Sequence, residues 1–261
     1  MNRSVAIVVV VALVGMLLIA SQLLPRGPSS VSSAQAPVLA NVSFTLDFPK
    51  TLSPGTLVQS TVQVTVLGDD AKNVSVHTDS TVLIIASSPL DIKSGTSTNF
   101  NFSLSANDVQ DGPYSANVWL TYSDSSGPQN SKPITESFYL LPKIQVEDLR
   151  FTPDFWHPLG KGTIGETDST SVLFKVSSGS KNVIYQGIYA TTSLSVAAPG
   201  LTLNASIIPV SALGPQGTSN DYSITIKSNN TPPGQYVIFL SLYSKDNQFV
   251  TQASIALTVS A

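Results

Sequence analysis

The chain contains an internal repeat, and this repeat constrains the fold more than any other feature of the sequence. Gly95-Thr96-Ser97 recurs as Gly217-Thr218-Ser219, and the step from position 95 to position 217 is an offset of 122 residues. The same offset aligns about 30 residues without a gap. The aligned pairs are Phe100 with Tyr222, Phe102 with Ile224, Leu104 with Ile226, Asn107 with Asn229, Gly112 with Gly234, Tyr114 with Tyr236, Leu120 with Leu242 and Asp124 with Asp246. A shared register of apolar, glycine and tyrosine positions predicts a duplicated domain.

Both copies alternate apolar and polar residues with a period of two, as Val62, Val64 and Val66 do. This alternation places one set of side chains on a core and the other in solvent, and it predicts β-strands. Turn clusters such as Thr231-Pro232-Pro233-Gly234 separate the strands. The sequence therefore predicts an all-β fold with two tandem sandwiches, residues 38–142 and 143–261.

The type of sandwich is indicated by a Gly-x-Tyr motif that opens a long alternating strand in each copy, at Tyr114 and at Tyr236. In immunoglobulin-like folds a tyrosine near the start of strand F bonds back to upstream backbone, two residues before a core cysteine. Here that position is Ala116 or Ile238, and the chain has no cysteine. The motif predicts immunoglobulin-like sandwiches without the disulfide. The alternative is that both tyrosines are simply core aromatics.

On these residues the chain resembles archaeal and bacterial cell-surface proteins that carry CARDB-like or related Ig-like repeats. The resemblance rests on the late half of each repeat, from the strand that contains Phe102 or Ile224 through the Gly-x-Tyr motif to the strand that follows. It covers roughly a third of the chain. It implies a stalk, an envelope component or an adhesive module, and it transfers no catalytic residue.

The N-terminus carries a nearly unbroken apolar run from Val5 to Leu24. Twenty helical residues span about 30 Å, which matches the core of a bilayer. We therefore expect residues 1–25 to be a transmembrane signal anchor, followed by a Pro/Ser-rich linker over residues 26–37. The alternative is a cleaved signal peptide. The best cleavage site for it, Ala34-Gln35-Ala36, precedes a proline.

The chain also contains five glycosylation sequons, which favour a location outside the cytoplasm together with the polar, β-rich remainder. The candidate asparagines are Asn41, Asn73, Asn101, Asn204 and Asn229. Asn73 and Asn101 alternate with apolar neighbours, so we expect their side chains to face solvent. We expect a single-pass cell-membrane glycoprotein whose C-terminal domains lie outside the cytoplasm.

Candidate catalytic groups are few. The two histidines, His77 and His157, lie in different domains, and no cysteine is present, so neither a zinc site nor a nucleophile with its base is indicated. Paired carboxylates occur at Asp69-Asp70 and at Asp108/Asp111, where turn capping is the first interpretation and a loop calcium site the alternative. We expect no enzyme activity, no cofactor and no resident metal. A net charge of −3 without a basic run argues against nucleic acid.

One segment departs from the alternating pattern. Phe151, Phe155 and Trp156 stand among polar residues and prolines at the start of the second domain. We predict that these rings seal the junction between the domains or plug the end of the sandwich. The alternative is that they form an aromatic surface for a partner.

Taken together, the sequence predicts a non-catalytic, membrane-anchored extracellular protein that acts as a stalk or a protein-interaction module of the cell envelope. Its partners are the membrane, through the N-terminal helix, and other envelope or membrane proteins. The alternatives are an accessory subunit of a larger membrane complex, a fibre or pilus-like subunit that donates a strand, and a carbohydrate-binding module.

Overall fold

Alternating side chains build two β-sandwiches in the part of the chain that the computed structural model describes, residues 38–152, 162–204 and 206–261. Every regular element in these ranges is a strand. None of the described residues belongs to a helix long and apolar enough to cross a membrane. The expected span, Val5 to Leu24, and the linker over residues 26–37 lie outside the described residues.

Sandwich 1 consists of two sheets that face each other. One has the order β1-β3-β7-β5, and the other has the order β2-β10-β8-β4-β6, with β9 also paired to β8. The strands are β1 (Asn41–Asp47), β2 (Thr51–Leu52), β3 (Val58–Leu67), β4 (Ala71–Thr78), β5 (Leu83–Ser87), β6 (Leu90–Ile92), β7 (Thr96–Ala106), β8 (Gly112–Asp124), β9 (Gly127–Asn130) and β10 (Ile134–Leu140). One contiguous core fills the space between the sheets.

Sandwich 2 repeats this arrangement. Its sheets have the orders β11-β13-β17-β15 and β12-β19-β18-β14-β16. The strands are β11 (Ile144–Phe151), β12 (Thr163–Gly165), β13 (Ser169–Ser178), β14 (Tyr189–Leu194), β15 (Leu201–Leu203), β16 (Ile207–Pro209), β17 (Tyr222–Ser228), β18 (Gly234–Tyr243) and β19 (Phe249–Ser260).

The strand orders confirm the duplication. In both sandwiches the second strand pairs in parallel with the last strand, β2 with β10 and β12 with β19, while the other strand pairs are antiparallel. The copies differ where β9 and β10 take the place of the single strand β19. Pro133 has no N–H to donate there. Ser131 restores part of the pairing, because its Oγ accepts a hydrogen bond from the Leu120 amide at 2.9 Å.

The repeat also predicts the core register. Phe102, Leu104, Val118 and Leu120 are buried, and so are their counterparts Ile224, Ile226, Leu240 and Leu242. Phe100 and Tyr114, which the register also places in the core, are half-buried, and so are Tyr222 and Tyr236. Tyr114 and Tyr236 stay at the rim because their hydroxyls must reach backbone acceptors.

Those acceptors are equivalent in the two copies. Tyr114 Oη donates to the Gln110 carbonyl oxygen at 2.7 Å, and Tyr236 Oη donates to the Pro232 carbonyl oxygen at 2.7 Å. Each hydroxyl thus bonds four residues upstream, as the tyrosine of an immunoglobulin-like sandwich does. This arrangement is called a tyrosine corner. The predicted bond of each Gly-x-Tyr tyrosine to upstream backbone is confirmed, and the two residues are more than core aromatics.

The sandwiches belong to one compact unit of the chain, Val38 to Ala261. Direct polar contacts join them across the short connection between Leu140 and Ile144. Tyr139 Oη donates to Asp246 Oδ2 at 2.6 Å, and the Lys181 amide donates to Asp108 Oδ2 at 2.8 Å. These contacts fix how the surfaces described below are presented.

Candidate interaction surface

A row of three aromatic rings crosses the outer face of sandwich 2. Tyr189, Tyr243 and Phe249 lie opposite one another on the neighbouring strands β14, β18 and β19. The ring centroids of Tyr189 and Tyr243 are 5.3 Å apart with an interplanar angle of 9°, and Tyr243 meets Phe249 edge-on at 5.9 Å. Phe249 is 52% exposed. We call these three residues the aromatic row.

Strand alternation explains why the rings point outward. Ile238, Leu240 and Leu242 of β18 are buried in the core, so the intervening residues of this strand face away from it. A register shift in the pairing of β18 with β19 then sets Phe249 beside Tyr243. This bulge brings the third ring into the row.

The hairpin loop between β18 and β19 is held by a fully buried serine. Ser244 Oγ accepts hydrogen bonds from the amides of Asp246 and Gln248, at 3.3 and 3.2 Å. Asn247 Oδ1 accepts a hydrogen bond from Tyr189 Oη at 2.8 Å. The loop therefore positions the end of the aromatic row while Asp246 reaches sandwich 1.

Tyr139 of sandwich 1 is the residue that Asp246 contacts. Burial raises the pKa of its hydroxyl to about 12, and the hydrogen bond to the Asp246 carboxylate adds to the effect. The hydroxyl is therefore protonated at neutral pH and acts as a donor to Asp246.

The outer face of sandwich 2 differs from the equivalent face of sandwich 1. At the repeat offset, Ser115, Asn117 and Thr121 of β8 become Val237, Phe239 and Tyr243 of β18. The core positions between them remain apolar in both copies. Apolar residues have thus replaced polar ones at three outward positions that the core does not require, whereas the fourth changes from Trp119 to Ser241. Outward apolar residues grouped in this way mark a contact surface.

The aromatic segment at the start of sandwich 2, which is the alternative partner surface, is described only in part. Phe151 is 8% exposed and belongs to the core, where its ring lies under Gly162. It is therefore part of the sandwich interior and does not contribute to an exposed patch. Phe155 and Trp156 lie outside the described residues, and their role stays a prediction.

All five sequon asparagines, which lie on the strands and loops of both sandwiches, have exposed side chains. Asn101 Oδ1 accepts a hydrogen bond from Thr61 Oγ1, and Asn204 Oδ1 accepts one from the Thr225 amide. Exposure permits modification, and glycosylation stays a prediction.

His77 lies on the outer face of sandwich 1, where its ring stacks on Trp119 with centroids 6.3 Å apart. It borders a groove of about 510 Å³ between β4 and β5, whose described lining includes Ser75, Ser80 and Ser87 but no carboxylate. His157 lies outside the described residues. In the described ranges, the geometry brings no nucleophile, base and carboxylate together around His77.

The first acidic pair caps turns. Asp69 Oδ2 accepts a hydrogen bond from the Ser125 amide, and Asp70 accepts from the Ser94 amide and from Lys93 Nζ. Hydrogen bonds from Ser125 hold the pKa of Asp69 below its usual value, and the bond to Lys93 does the same for Asp70. No group of three or more metal-ligating side chains occurs within residues 38–152, 162–204 and 206–261.

The aromatic row was missed by sequence reasoning, because the outward positions of a strand carry no periodic signal of their own. Comparison of the two copies at their outward positions, Thr121 against Tyr243 and Asn117 against Phe239, is the signal that points to it.

No protein-family model matches the chain, and no curated protein matches its sequence. Among solved structures, the D00-D0 domain of intimin is 12% identical with a TM-score of 0.29, covering 85% of this chain and 100% of that one. A C-terminal 282-residue fragment of intimin, solved with the intimin-binding domain of the translocated intimin receptor, is 16% identical with a TM-score of 0.42, covering 84% of this chain and 64% of that one. E. coli alpha-2-macroglobulin is 8% identical with a TM-score of 0.34, covering 84% of this chain and 17% of that one. Likeness at this level carries no argument, so the interpretation rests on the strand order and the hydrogen bonds of the chain itself.

Proposed function

We propose that the chain is a non-catalytic interaction protein of the cell envelope, anchored by its N-terminal segment with both sandwiches outside the cytoplasm. Sandwich 1 acts as a spacer, and sandwich 2 presents its outer sheet face to a protein partner. The observation that carries this proposal is the aromatic row on the outer face of sandwich 2, with Phe249 exposed and Tyr189 and Tyr243 half-buried, which is absent from the equivalent positions of sandwich 1.

The composition of this face favours a protein partner. The centre of a protein interface is enriched in aromatic residues and depleted of charged ones. The outward positions of β14, β18 and β19 carry no charged residue, and β18 adds Val237 and Phe239, which Ser241 separates from Tyr243. The pairing of β14, β18 and β19 sets the three rings side by side, and Asn247 Oδ1 holds the hydroxyl of Tyr189. Binding therefore costs little side-chain entropy.

The test transfers the outer face of sandwich 1 onto sandwich 2. In the double variant Phe239→Asn plus Tyr243→Thr, both positions receive the residues of the other copy. The full-length chain is recovered from its native envelope in mild detergent, and its partner is quantified by mass spectrometry. Because aromatic residues at an interface centre dominate affinity, we expect partner recovery to fall at least about tenfold.

The matched control is Trp119→Ser, which removes the largest outward ring of the equivalent face in sandwich 1. We expect partner recovery to stay at the wild-type level in this control and the melting temperature to stay close to the wild-type value in both variants. Undiminished recovery with the double variant would contradict the proposal.

One observation favours a carbohydrate-binding module as a second candidate. Trp119 stacks with His77, and the neighbouring outward Asn117 bonds through its amide to Asp79 at 2.8 Å. A ring beside an amide and a carboxylate suits a sugar face, because the ring contacts C–H groups and the polar groups bond hydroxyls. Glycan binding that is lost in Trp119→Ser and kept in the sandwich 2 double variant would support this candidate over the first.

A further inference from the structure

The loop between β7 and β8, Asn107–Asp111, faces sandwich 2 at the junction. Asp108 Oδ2 accepts a hydrogen bond from the Lys181 amide of sandwich 2 at 2.8 Å. Asp111 is only 4% exposed, and its Oδ1 accepts a hydrogen bond from Gln110 Nε2. Two carboxylates from one short loop are thus set into the contact between the sandwiches.

Each of these carboxylates has a second oxygen without a partner. Asp108 Oδ1 and Asp111 Oδ2 are buried and accept no hydrogen bond. Within the described part of the chain, no lysine, arginine or histidine forms an ion pair with either residue. A buried carboxylate oxygen without a donor is costly, and an ion or ordered water is the usual explanation for one.

The loop is rigid enough to hold these oxygens in place. Asn107 bonds through its amide to the Val82 carbonyl oxygen and through Nδ2 to the Thr81 carbonyl oxygen, both at 2.8 Å. Tyr114 Oη, the corner tyrosine, bonds the Gln110 carbonyl oxygen between the two aspartates. Coordinating side chains that are fixed before binding lose little conformational freedom when an ion binds.

The second copy shows that this loop does not need carboxylates to form. Its corner tyrosine bonds the Pro232 carbonyl oxygen in the same way, but Asn230 and Pro233 stand where the first copy has Asp108 and Asp111. The acidic pair is therefore not needed to form the loop, and it occurs in the copy whose loop contacts the other sandwich.

Both carboxylates act on one tyrosine of sandwich 2. Burial raises the pKa of Tyr185, and the charges of Asp108 and Asp111 raise it further. The Tyr185 hydroxyl itself accepts a hydrogen bond from the Lys143 amide in the connection between the sandwiches. Both carboxylates stand on the one loop that contacts sandwich 2 through Asp108 and the Lys181 amide.

We propose that Asp108 and Asp111 bind a hard divalent cation, Ca²⁺ or Mg²⁺, at the junction, and that the bound cation stiffens the contact between the sandwiches. Such cations take oxygen ligands, and main-chain oxygens and water complete a shell that begins with one or two carboxylates. Sites of this kind in extracellular modules bind with a Kd of about 10⁻⁴–10⁻³ M.

The test measures the melting temperature of the full-length chain in detergent, first with chelator and then during separate Ca²⁺ and Mg²⁺ titrations at constant ionic strength. A cation that binds only the folded state at about tenfold above its Kd should raise the melting temperature by about 3–6 °C. We expect a saturable rise with at least one of the two cations and none with added NaCl.

The variants are Asp108→Asn plus Asp111→Asn, and a matched control, Asp69→Asn plus Asp70→Asn, which alters an acidic pair with hydrogen-bonded oxygens. We expect the first pair to abolish the rise and the control to keep it. A rise that persists in the first pair, or that is lost in both, would overturn the proposal.

A second measurement covers the case in which the first pair fails to fold. Tb³⁺ bound at this loop in the wild-type chain should give tyrosine-sensitised luminescence, since the Tyr114 hydroxyl bonds the Gln110 carbonyl oxygen between the two aspartates. Ca²⁺ should displace it. Absence of sensitised emission, or emission that Ca²⁺ leaves unchanged, counts against a site at the junction.

Discussion

At the scale of single residues, Tyr114 and Tyr236 show how one side chain organises a loop in each sandwich. Each ring is half-buried, and each hydroxyl donates to a carbonyl oxygen four residues upstream at the same 2.7 Å. This bond could be predicted from the Gly-x-Tyr motif, because the motif fixes where the strand begins. The role of Asp108 and Asp111, on the loop before Tyr114, could not be predicted from the sequence, since aspartate serves both in turn capping and in cation binding.

Removal of either hydroxyl should cost the protein one hydrogen bond. We expect Tyr114→Phe and Tyr236→Phe each to lower the free energy of unfolding by about 1 kcal/mol, because a carbonyl acceptor loses its donor. Denaturant unfolding measures the change. Tyr189→Phe, which loses a bond to the side chain of Asn247, is the control and should cost only a few tenths of this value. Corner variants as stable as wild type would contradict the assigned role.

Tyr139 makes the junction sensitive to alkaline pH. Its folded-state pKa is about 12, whereas an unfolded tyrosine titrates near about 10. The folded state therefore holds this proton more tightly, so its contribution to stability is present below about pH 10 and is lost as the pH rises towards about 12. We expect Tyr139→Phe to make the alkaline decline in melting temperature less steep. An unchanged decline would show that this hydroxyl is not coupled to folding.

At the scale of elements, alternation predicted strands such as β7, β8, β17 and β18, because one face of each must meet the core. A second, shorter match in the sequence, Lys72-Asn73-Val74 with Lys181-Asn182-Val183 at an offset of 109 residues, was a weaker guide. Lys72-Asn73-Val74 lies within β4, whereas the matching Lys181-Asn182-Val183 precedes β14. Val74 and Val183 are both buried. The matched valines therefore keep a core position, although only Val74 lies within a strand of the sheet.

The turns between elements differ in how much space they leave. Gly200 has φ +81°, and a Cβ there would overlap the Asn229 carbonyl oxygen, whereas Gly95 has φ +75° with open space around it. We expect Gly200→Ala to cost at least about 2 kcal/mol through strain plus overlap, and Gly95→Ala about 1 kcal/mol through strain alone. Thermal unfolding of both variants checks the difference. Equal costs would contradict the close approach of the two turns at Gly200.

At the scale of the whole molecule, two sandwiches joined by Tyr139–Asp246 and Asp108–Lys181 present outer faces of different chemistry. The repeat predicted the number and type of sandwiches, because core positions are constrained by packing. It did not predict which face meets a partner, since an outward position is free to be polar or apolar. The exchange of Thr121 for Tyr243 between copies is visible in the sequence, but its meaning depends on Tyr189 and Phe249 lying beside it.

The central claim is that a protein partner covers the aromatic row in the native envelope. Hydroxyl-radical footprinting with mass spectrometry measures this directly, by comparing side-chain oxidation in intact envelopes with oxidation of the purified full-length chain. We predict that Tyr243 and Phe249 are protected in the envelope, while Trp119 on the equivalent face of sandwich 1 reacts equally in both samples. Equal oxidation of Tyr243 and Phe249 in the two samples would contradict the claim.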